Sequence, residues 1–159
     1  IWDMVVPEVC HPIGIMYAPI MRTIEPNGSK GLPPLGYGLY LNVDDVAKLS
    51  MLFQNGGRYQ GLQILHAGRL AEAMFLTDVV GLPIGDSNEY GEVTYHLAFD
   101  GLPYQSKNGS KHRVPFSTGF GGNHWVLLPN EITVFRFADA NLYSIETMIE
   151  VAESLRPFE

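Results

Sequence analysis

Apolar residues recur at every second position in part of the second half of this chain and at helical spacing near its end. Apolar and more polar residues alternate from 93 to 99, which is typical of a strand with two different faces. Apolar runs at 123–128 and 132–138 flank residues 129–131, a turn long enough for an antiparallel hairpin. From 145 to 155 the apolar residues recur at helical spacing, and Ser144 is predicted to cap this helix. Strands followed by a packing helix predict an α+β fold, an antiparallel sheet flanked by helices.

Helix signals are also present in the first half of the chain. Asn42 precedes a segment of helical periodicity and is suited to cap it. Two aspartates fall in the first turn, where the helix dipole favours negative charge. Asn55, Gly56 and Gly57 end the pattern, so a helix is predicted over 43–54. A second helix is predicted over 67–75.

Three further segments are less regular. Apolar residues at helical spacing between 2 and 9 indicate an amphipathic helix, although Pro7 disfavours a regular one. Residues 25–34 are rich in turn-forming residues and are predicted to be a loop. The polar segment 105–113 is also predicted to be a loop, and its basic residues are either solvated or bind substrate. Those basic residues are Lys107, Lys111 and Arg113.

Length and composition indicate a globular protein. The chain has 159 residues, of which 46% are hydrophobic and 17% charged, so it can bury the core of a single domain over 1–159. A formal charge of −7 disfavours nucleic acid or an anionic membrane as partner, and a small neutral or amphipathic substrate fits better. No apolar run approaches the roughly 18 residues of a membrane span.

The numbers and spacing of cysteine and histidine residues limit the disulfides and metal sites that the chain can form. Cys10 is the only cysteine, so an internal disulfide is excluded, the compartment is left unassigned, and Cys10 is interpreted as a buried apolar residue. No two of the five histidines are spaced three or four residues apart, which argues against a helical metal site. We therefore expect no metal and no cofactor.

The segment 116–129 is a glycine-rich turn that leads into an apolar strand. Gly119, Gly121 and Gly122 have no Cβ, so the backbone can lie against a ligand and present N–H groups to an oxyanion. The alternative is an ordinary bulge or hairpin. His124 lies beside this turn, where it either neighbours a site or points outward from a strand beside a core Trp125.

Four short motifs along the chain resemble motifs of a single protein superfamily. They are residues 12–16, similar to a PLGM turn; 36–57, similar to a "TxxDla" helix ending in two glycines; 59–65, similar to a "Y-x-G-x-x-iL" hairpin; and Ser117-Thr118-Gly119 with Pro129, similar in spacing to a KTG, HTG or WGG strand. In this order they resemble the superfamily of serine β-lactamases, penicillin-binding proteins and family VIII esterases. The resemblance implies the C-terminal part of a β-lactamase/DD-peptidase-like fold.

The resemblance also implies roles for the third motif. Thr118 and Gly119 match it, and the backbone N–H near Gly119 or Phe120 would donate to the oxyanion. Ser117 stands where the family has lysine, histidine or tryptophan. Because a serine hydroxyl supplies no cation for a substrate carboxylate, this departure favours ester hydrolysis over β-lactam hydrolysis.

The nucleophile motif of that family is missing. No serine here has a lysine three residues later, so no catalytic residue is assigned. Tyr40-Leu41-Asn42 matches the second motif, Tyr-x-Asn, but Asn42 is interpreted as a helix cap. We expect the C-terminal part of a serine hydrolase, inactive alone, whose partners are a small ester or amide substrate and either an N-terminal part of the same domain or a second copy. The alternative is a non-catalytic binding module.

Overall fold

The computed structural model describes residues 2–16, 20–34, 38–140 and 144–158. They form an α+β fold with antiparallel sheets, as the periodicities predict. The chain divides into compact units at residues 1–66 and 67–159, and a single domain over 1–159 stays a prediction. In the part of the chain that is described, no helix is long and apolar enough to cross a bilayer.

The first unit begins with irregular helical turns. Helix α1 covers Trp2–Val5, and a π-helical turn over Val6–Cys10 and a 3-10 turn over His11–Ile13 follow it. The segment predicted to be an amphipathic helix over 2–9 is helical, but only its first four residues are α-helical. Because Pro7 has no N–H donor and its ring crowds the preceding turn, the α-helical pattern ends at Val5.

Helix α2 covers Val43–Gln54, as predicted. Asn42 caps it: its side-chain oxygen accepts from the Asp45 N–H at 2.9 Å, while the Asp45 carboxylate accepts from the Asn42 N–H at 3.3 Å. Such a reciprocal box satisfies donors that the first helical turn leaves free. Val46 and Leu52 are buried on the apolar side of the helix.

The core of the first unit joins the irregular turns to α2. Its buried members are Cys10, Ile13, Ile15 and Leu52. Cys10 is buried, as predicted, and burial, with a smaller effect of the Asp45 charge, raises the pKa of its thiol. The predicted hairpin near 59–65 is present as strands β1, Arg58–Tyr59, and β2, Leu62–Gln63.

The second unit is built on an antiparallel meander. Helix α3 covers Ala67–Ala73, ending two residues before the predicted 75. The six strands pair in chain order and are β3 Leu82–Asn88, β4 Gly91–His96, β5 Phe99–Gln105, β6 Lys111–Gly119, β7 Asn123–Leu127 and β8 Thr133–Arg136. Helix α4 covers Glu146–Leu155, near the predicted 145–155. Strands β7 and β8 confirm the predicted hairpin after residue 123.

One face of the sheet forms the core with α4. Val114 and Val126 from the sheet and Ile149 from the helix have no exposed surface. They pack with further buried residues: Val93, Leu102, Tyr104, Phe116, Leu128, Ile145, Ala152 and Phe158. Burial of this apolar set is the main term that holds α4 on the sheet.

The predicted strand over 93–99 is wrong in its extent. The chain reverses at Leu97 and Ala98, whose φ angles are +45° and +71°, so two paired strands occupy the region. Positive φ at both central residues suits the twist of a hairpin, but glycine or asparagine normally signals it. Strand β3 was not predicted, because its glycine, proline and aspartate are poor strand formers.

Two other expectations are corrected. The loop predicted over 105–113 is shorter, since β5 ends at Gln105 and β6 begins at Lys111. Ser144 does not cap α4; the N-cap residue is Ile145, which has no side-chain cap, and the Ser144 hydroxyl donates to the Glu146 carboxylate at 2.6 Å instead. Residues 36 and 37, which begin the 36–57 motif, lie outside the described residues.

Candidate functional site

Ser117, Thr118 and Gly119 are the last residues of β6. On one side they pair with β7, where Ser117 lies opposite Trp125, Thr118 opposite His124 and Gly119 opposite Asn123. On the other side the ladder with β5 ends at Asp100 opposite Phe116. Ser117, Thr118 and Gly119 therefore extend beyond the last pair of residues that joins β5 to β6.

A glycine turn connects this strand end to β7. The Gly122 N–H donates to the Gly119 carbonyl at 3.2 Å, and Gly121 and Gly122 have φ angles of +80° and +82°. A Cβ on Gly121 would lie 2.9 Å from the Ala138 carbonyl oxygen. Because left-handed backbone and close packing coincide at Gly121, only glycine fits there without strain.

Hydrogen bonds from the chain after β8 hold this turn in place. The Ala140 N–H donates to the Gly121 carbonyl at 3.0 Å, and the Ala138 N–H donates to the Asn123 side chain at 2.9 Å. Phe120 lies at the tip with 89% of its surface exposed. The turn is thus a fixed support that presents a large apolar ring to solvent.

Thr118 and His124 are brought together by the strand pairing. The Thr118 hydroxyl lies 3.2 Å from His124 Nδ1, and the tautomer of the ring decides which group donates. His124 is only 3% exposed, so the outward-pointing histidine was the wrong alternative. Since His124 lies two residues from buried Val126, alternation along β7 puts its side chain on the face that α4 covers.

Ser117 belongs to the opposite face of the sheet. Its hydroxyl donates to the Ala98 carbonyl at 3.4 Å, and its neighbour across the strands is Trp125. Successive side chains of a strand point to opposite faces, so Ser117 and His124 do not form a serine–histidine pair. Among the described residues, the hydrogen-bond partner of the Ser117 hydroxyl is thus a backbone carbonyl and not a base.

Two residues near this site carry no sequence signal. Arg136 lies opposite His124 on β8, and its Nε donates to the Gly122 carbonyl at 3.0 Å. Asp100 lies opposite Phe116, and burial raises the pKa of its carboxyl group. Sheet register alone brings them beside the third motif, so no local pattern could have found them. In the part of the chain that is described, no cluster of three or more histidine, cysteine, aspartate or glutamate residues could hold a metal ion.

No protein-family model matches the chain, and no curated protein matches it.

Proposed function

We propose that this chain supplies the substrate-binding strand of a β-lactamase-related serine hydrolase that acts on a small ester or amide. The supporting observation is the position of Ser117, Thr118 and Gly119. They extend past the pairing of β5 and lead directly into the left-handed glycine turn. A carbonyl group can approach backbone donors there without meeting a bulky side chain at Gly119.

The proposed chemistry is stabilisation of negative charge. The N–H of Gly119 or Phe120 donates to the oxygen of the substrate carbonyl as it becomes an oxyanion. Such donors are effective when they are fixed before the reaction, and the bonds from Ala138 and Ala140 fix this turn. Ser117 supplies a hydroxyl without positive charge, which favours esters over substrates that carry a carboxylate.

The proposal requires a nucleophile from another segment. Loss of one oxyanion donor lowers the rate by roughly 10² to 10³, and loss of the nucleophile lowers it further. This chain by itself is therefore inactive in the proposal. The completing partner is an N-terminal part of the same domain that carries Ser-x-x-Lys, or a second copy that closes the site.

A non-catalytic binding module is the second candidate. The contacts of Ser117 favour it, because its hydroxyl donates to a backbone carbonyl and its cross-strand neighbour is Trp125 rather than a base. In that case the strand end keeps its donors and binds acyl groups without turnover. A complete reading frame discriminates the candidates, since an upstream Ser-x-x-Lys belongs to the enzyme alone.

Inactivity is tested by incubating the chain with a fluorophosphonate probe and measuring its mass. We expect no covalent adduct and no hydrolysis of p-nitrophenyl acetate. Ser117→Ala is the matched variant. Stoichiometric labelling that disappears in Ser117→Ala would overturn both the inactivity and the assignment of Ser117 to the third motif.

Binding at the strand end is tested by NMR titration with butyranilide, a stable amide. We expect the largest amide shifts at Gly119 and Phe120. Phe120→Ala keeps the backbone N–H and removes the ring, so a changed affinity in this variant assigns the contact to the ring instead. Shifts that avoid residues 117–122 would contradict the proposal.

A further inference from the structure

A second concave site lies at the opposite end of the β5–β6 hairpin. It is a cleft of about 720 Å³, and the residues that matter for its chemistry are Glu89, Tyr90, Tyr104, Lys107, Glu146 and Glu150. This volume is within the roughly 300–1,000 Å³ of small-molecule sites. Gln105 pairs with Lys111 at this end, six residues along β6 from Ser117, so about 20 Å of strand separates it from the third motif.

The ring of Tyr90, which is 45% exposed, forms the apolar part of the cleft and lies next to the buried ring of Tyr104. The rings of Tyr90 and Tyr104 lie edge to face, with centroids 6.4 Å apart and planes at 69°. The Tyr104 hydroxyl donates to the buried Glu153 carboxylate at 2.7 Å, which fixes the orientation of that ring. The Tyr90 N–H donates to Asn88, whose side chain in turn donates to the Pro103 carbonyl at 2.8 Å. The ring of Tyr104 and the backbone at Tyr90 are therefore fixed before any ligand arrives.

The charges in the cleft are mainly negative. Glu89, Glu146 and Glu150 face a single lysine, Lys107. Glu146 and Glu150 are four residues apart on α4, so they lie on one side of the helix. Among the described residues, none of these three carboxylates forms an ion pair with lysine or arginine. Because no lysine or arginine among the described residues pairs with these carboxylates, their charge is available to a cation.

Electrostatic coupling joins the carboxylates to the rings. A hydrogen bond to Glu89 raises the pKa of Tyr90, and the charge of Glu150 contributes a smaller part. Burial raises the pKa of Tyr104, and Glu150 again adds to the shift. The Ser144 hydroxyl lowers the pKa of Glu146 and so favours its carboxylate form. Carboxylate charge is thus felt at both rings.

We propose that this cleft binds a small organic cation of the substituted ammonium class. The positive charge lies between the Glu146 and Glu150 carboxylates, and the alkyl groups lie on the exposed ring of Tyr90. A tyrosine face attracts a cation through its quadrupole, and nearby carboxylates add direct attraction. The same charges repel phosphate and carboxylate ligands. Lys107 competes with the ligand for the carboxylates.

The test compares choline with 3,3-dimethyl-1-butanol, an uncharged compound of nearly the same shape. Both are titrated into the ¹⁵N-labelled chain, and amide shifts at Tyr90, Gln105 and Lys107 are followed. We expect saturable shifts with choline and at least about fivefold weaker binding of the neutral compound, which corresponds to a cation–π and ion contribution of about 1 kcal/mol.

Variants separate a built site from general attraction to an acidic protein. Glu150→Gln and Tyr90→Leu are each expected to weaken choline binding about fivefold or more, since each removes one part of the cation site. Glu131→Gln is the matched control, because it removes one exposed carboxylate outside the cleft. Lys107→Gln is expected to strengthen binding.

Three results would overturn the proposal. One is the absence of saturable shifts with choline. Another is equal binding of choline and 3,3-dimethyl-1-butanol. The third is equal weakening by Glu131→Gln and Glu150→Gln, because it would show attraction to net charge alone. Each variant's amide spectrum shows whether it remains folded.

Discussion

Tyr104 and Glu153 join the end of β5 to α4 through a hydrogen bond of 2.7 Å between the phenol oxygen and Oε2. Glu153 is 2% exposed, and its other oxygen accepts from the Lys107 N–H, also at 2.7 Å. A buried carboxylate is costly unless its oxygens find donors. Here an aromatic hydroxyl and a backbone N–H supply them, so the helix, the strand and the following loop are tied at one point.

Tyr104→Phe should destabilise the protein because it leaves Oε2 of Glu153 without this donor. We expect the free energy of unfolding to fall by about 1.5–3 kcal/mol, the range for hydrogen bonds to charged groups. Urea denaturation at neutral pH measures it. Tyr95→Phe is the matched control, since Tyr95 is 47% exposed, and it should change stability by less than about 0.5 kcal/mol. Equal effects of the two substitutions would contradict the role of the buried pair.

Gly121→Ala should be more damaging than Gly85→Ala. The two glycines have φ angles of +80° and +83°, so each substitution costs about 1–2 kcal/mol from backbone conformation. At Gly85 an added Cβ meets nothing within 4 Å, whereas at Gly121 it meets the Ala138 carbonyl at 2.9 Å. Thermal unfolding of the two variants isolates the packing part of the cost. A larger loss for Gly85→Ala would argue against the turn geometry.

The Ser144–Glu146 hydrogen bond should make stability depend on pH. This bond is the largest cause of the lowered pKa of Glu146 in the folded state. A depressed folded pKa contributes stability above the unfolded pKa, and this contribution is lost as pH falls through the folded value. Ser144→Ala should raise the pKa of Glu146 and lower the melting temperature at neutral pH, with the difference from wild type vanishing in acid.

Carboxyl ¹³C titration and thermal unfolding across pH measure these effects. Ser154→Ala is the matched control, because Ser154 is on the same helix and donates to the Val151 carbonyl at 2.6 Å rather than to a carboxylate. The interpretation fails if Ser144→Ala leaves the Glu146 titration unchanged.

The chain should self-associate through an apolar groove between β8 and α4. The groove has a volume of about 470 Å³, and its apolar lining includes Val134, Met148, Val151 and Leu155. Val151 and Leu155 are 56% and 76% exposed, and contiguous apolar surface of this kind favours association. Sedimentation velocity at micromolar concentration measures it.

Leu155→Glu should shift the sedimentation profile toward monomer. Val43→Glu is the control, because Val43 is an exposed apolar residue, 56% exposed, that belongs to the first unit. A strictly monomeric wild-type chain would contradict the prediction, and an equal response to the two substitutions would assign association to another surface.

Local sequence signals predicted α2 well and β4 poorly, for physical reasons. Asn42 and Asp45 cap their own helix, so every interaction that starts α2 lies within four residues. The reversal at Leu97 and Ala98 has no such signal, because pairing with the neighbouring strands stabilises a conformation that these residues rarely adopt alone.

The candidate site was likewise only partly predictable. The glycines that shape the turn at 119–122 were visible in the sequence, since their conformational freedom is a property of the residue itself. The burial of His124, its contact with Thr118 and the bond from Arg136 to the turn follow from the register of β6, β7 and β8. Register depends on pairing across the sheet, which a local pattern does not encode.

The sequence by itself therefore determined the α+β class, helix α2 with its Asn42 cap, the hairpin after residue 123 and the glycine turn that precedes this hairpin. Local properties of the sequence decide these features, namely the spacing of apolar residues, helix capping and the conformational freedom of glycine. Only the tertiary structure decided which face His124 and Ser117 occupy, and only it gathered Tyr90, Tyr104 and Glu150 into one cleft. Residues far apart in the chain meet there because the apolar face of the sheet must be buried against α4. This burial selects one pairing register of the strands, and the register decides which face each strand side chain occupies.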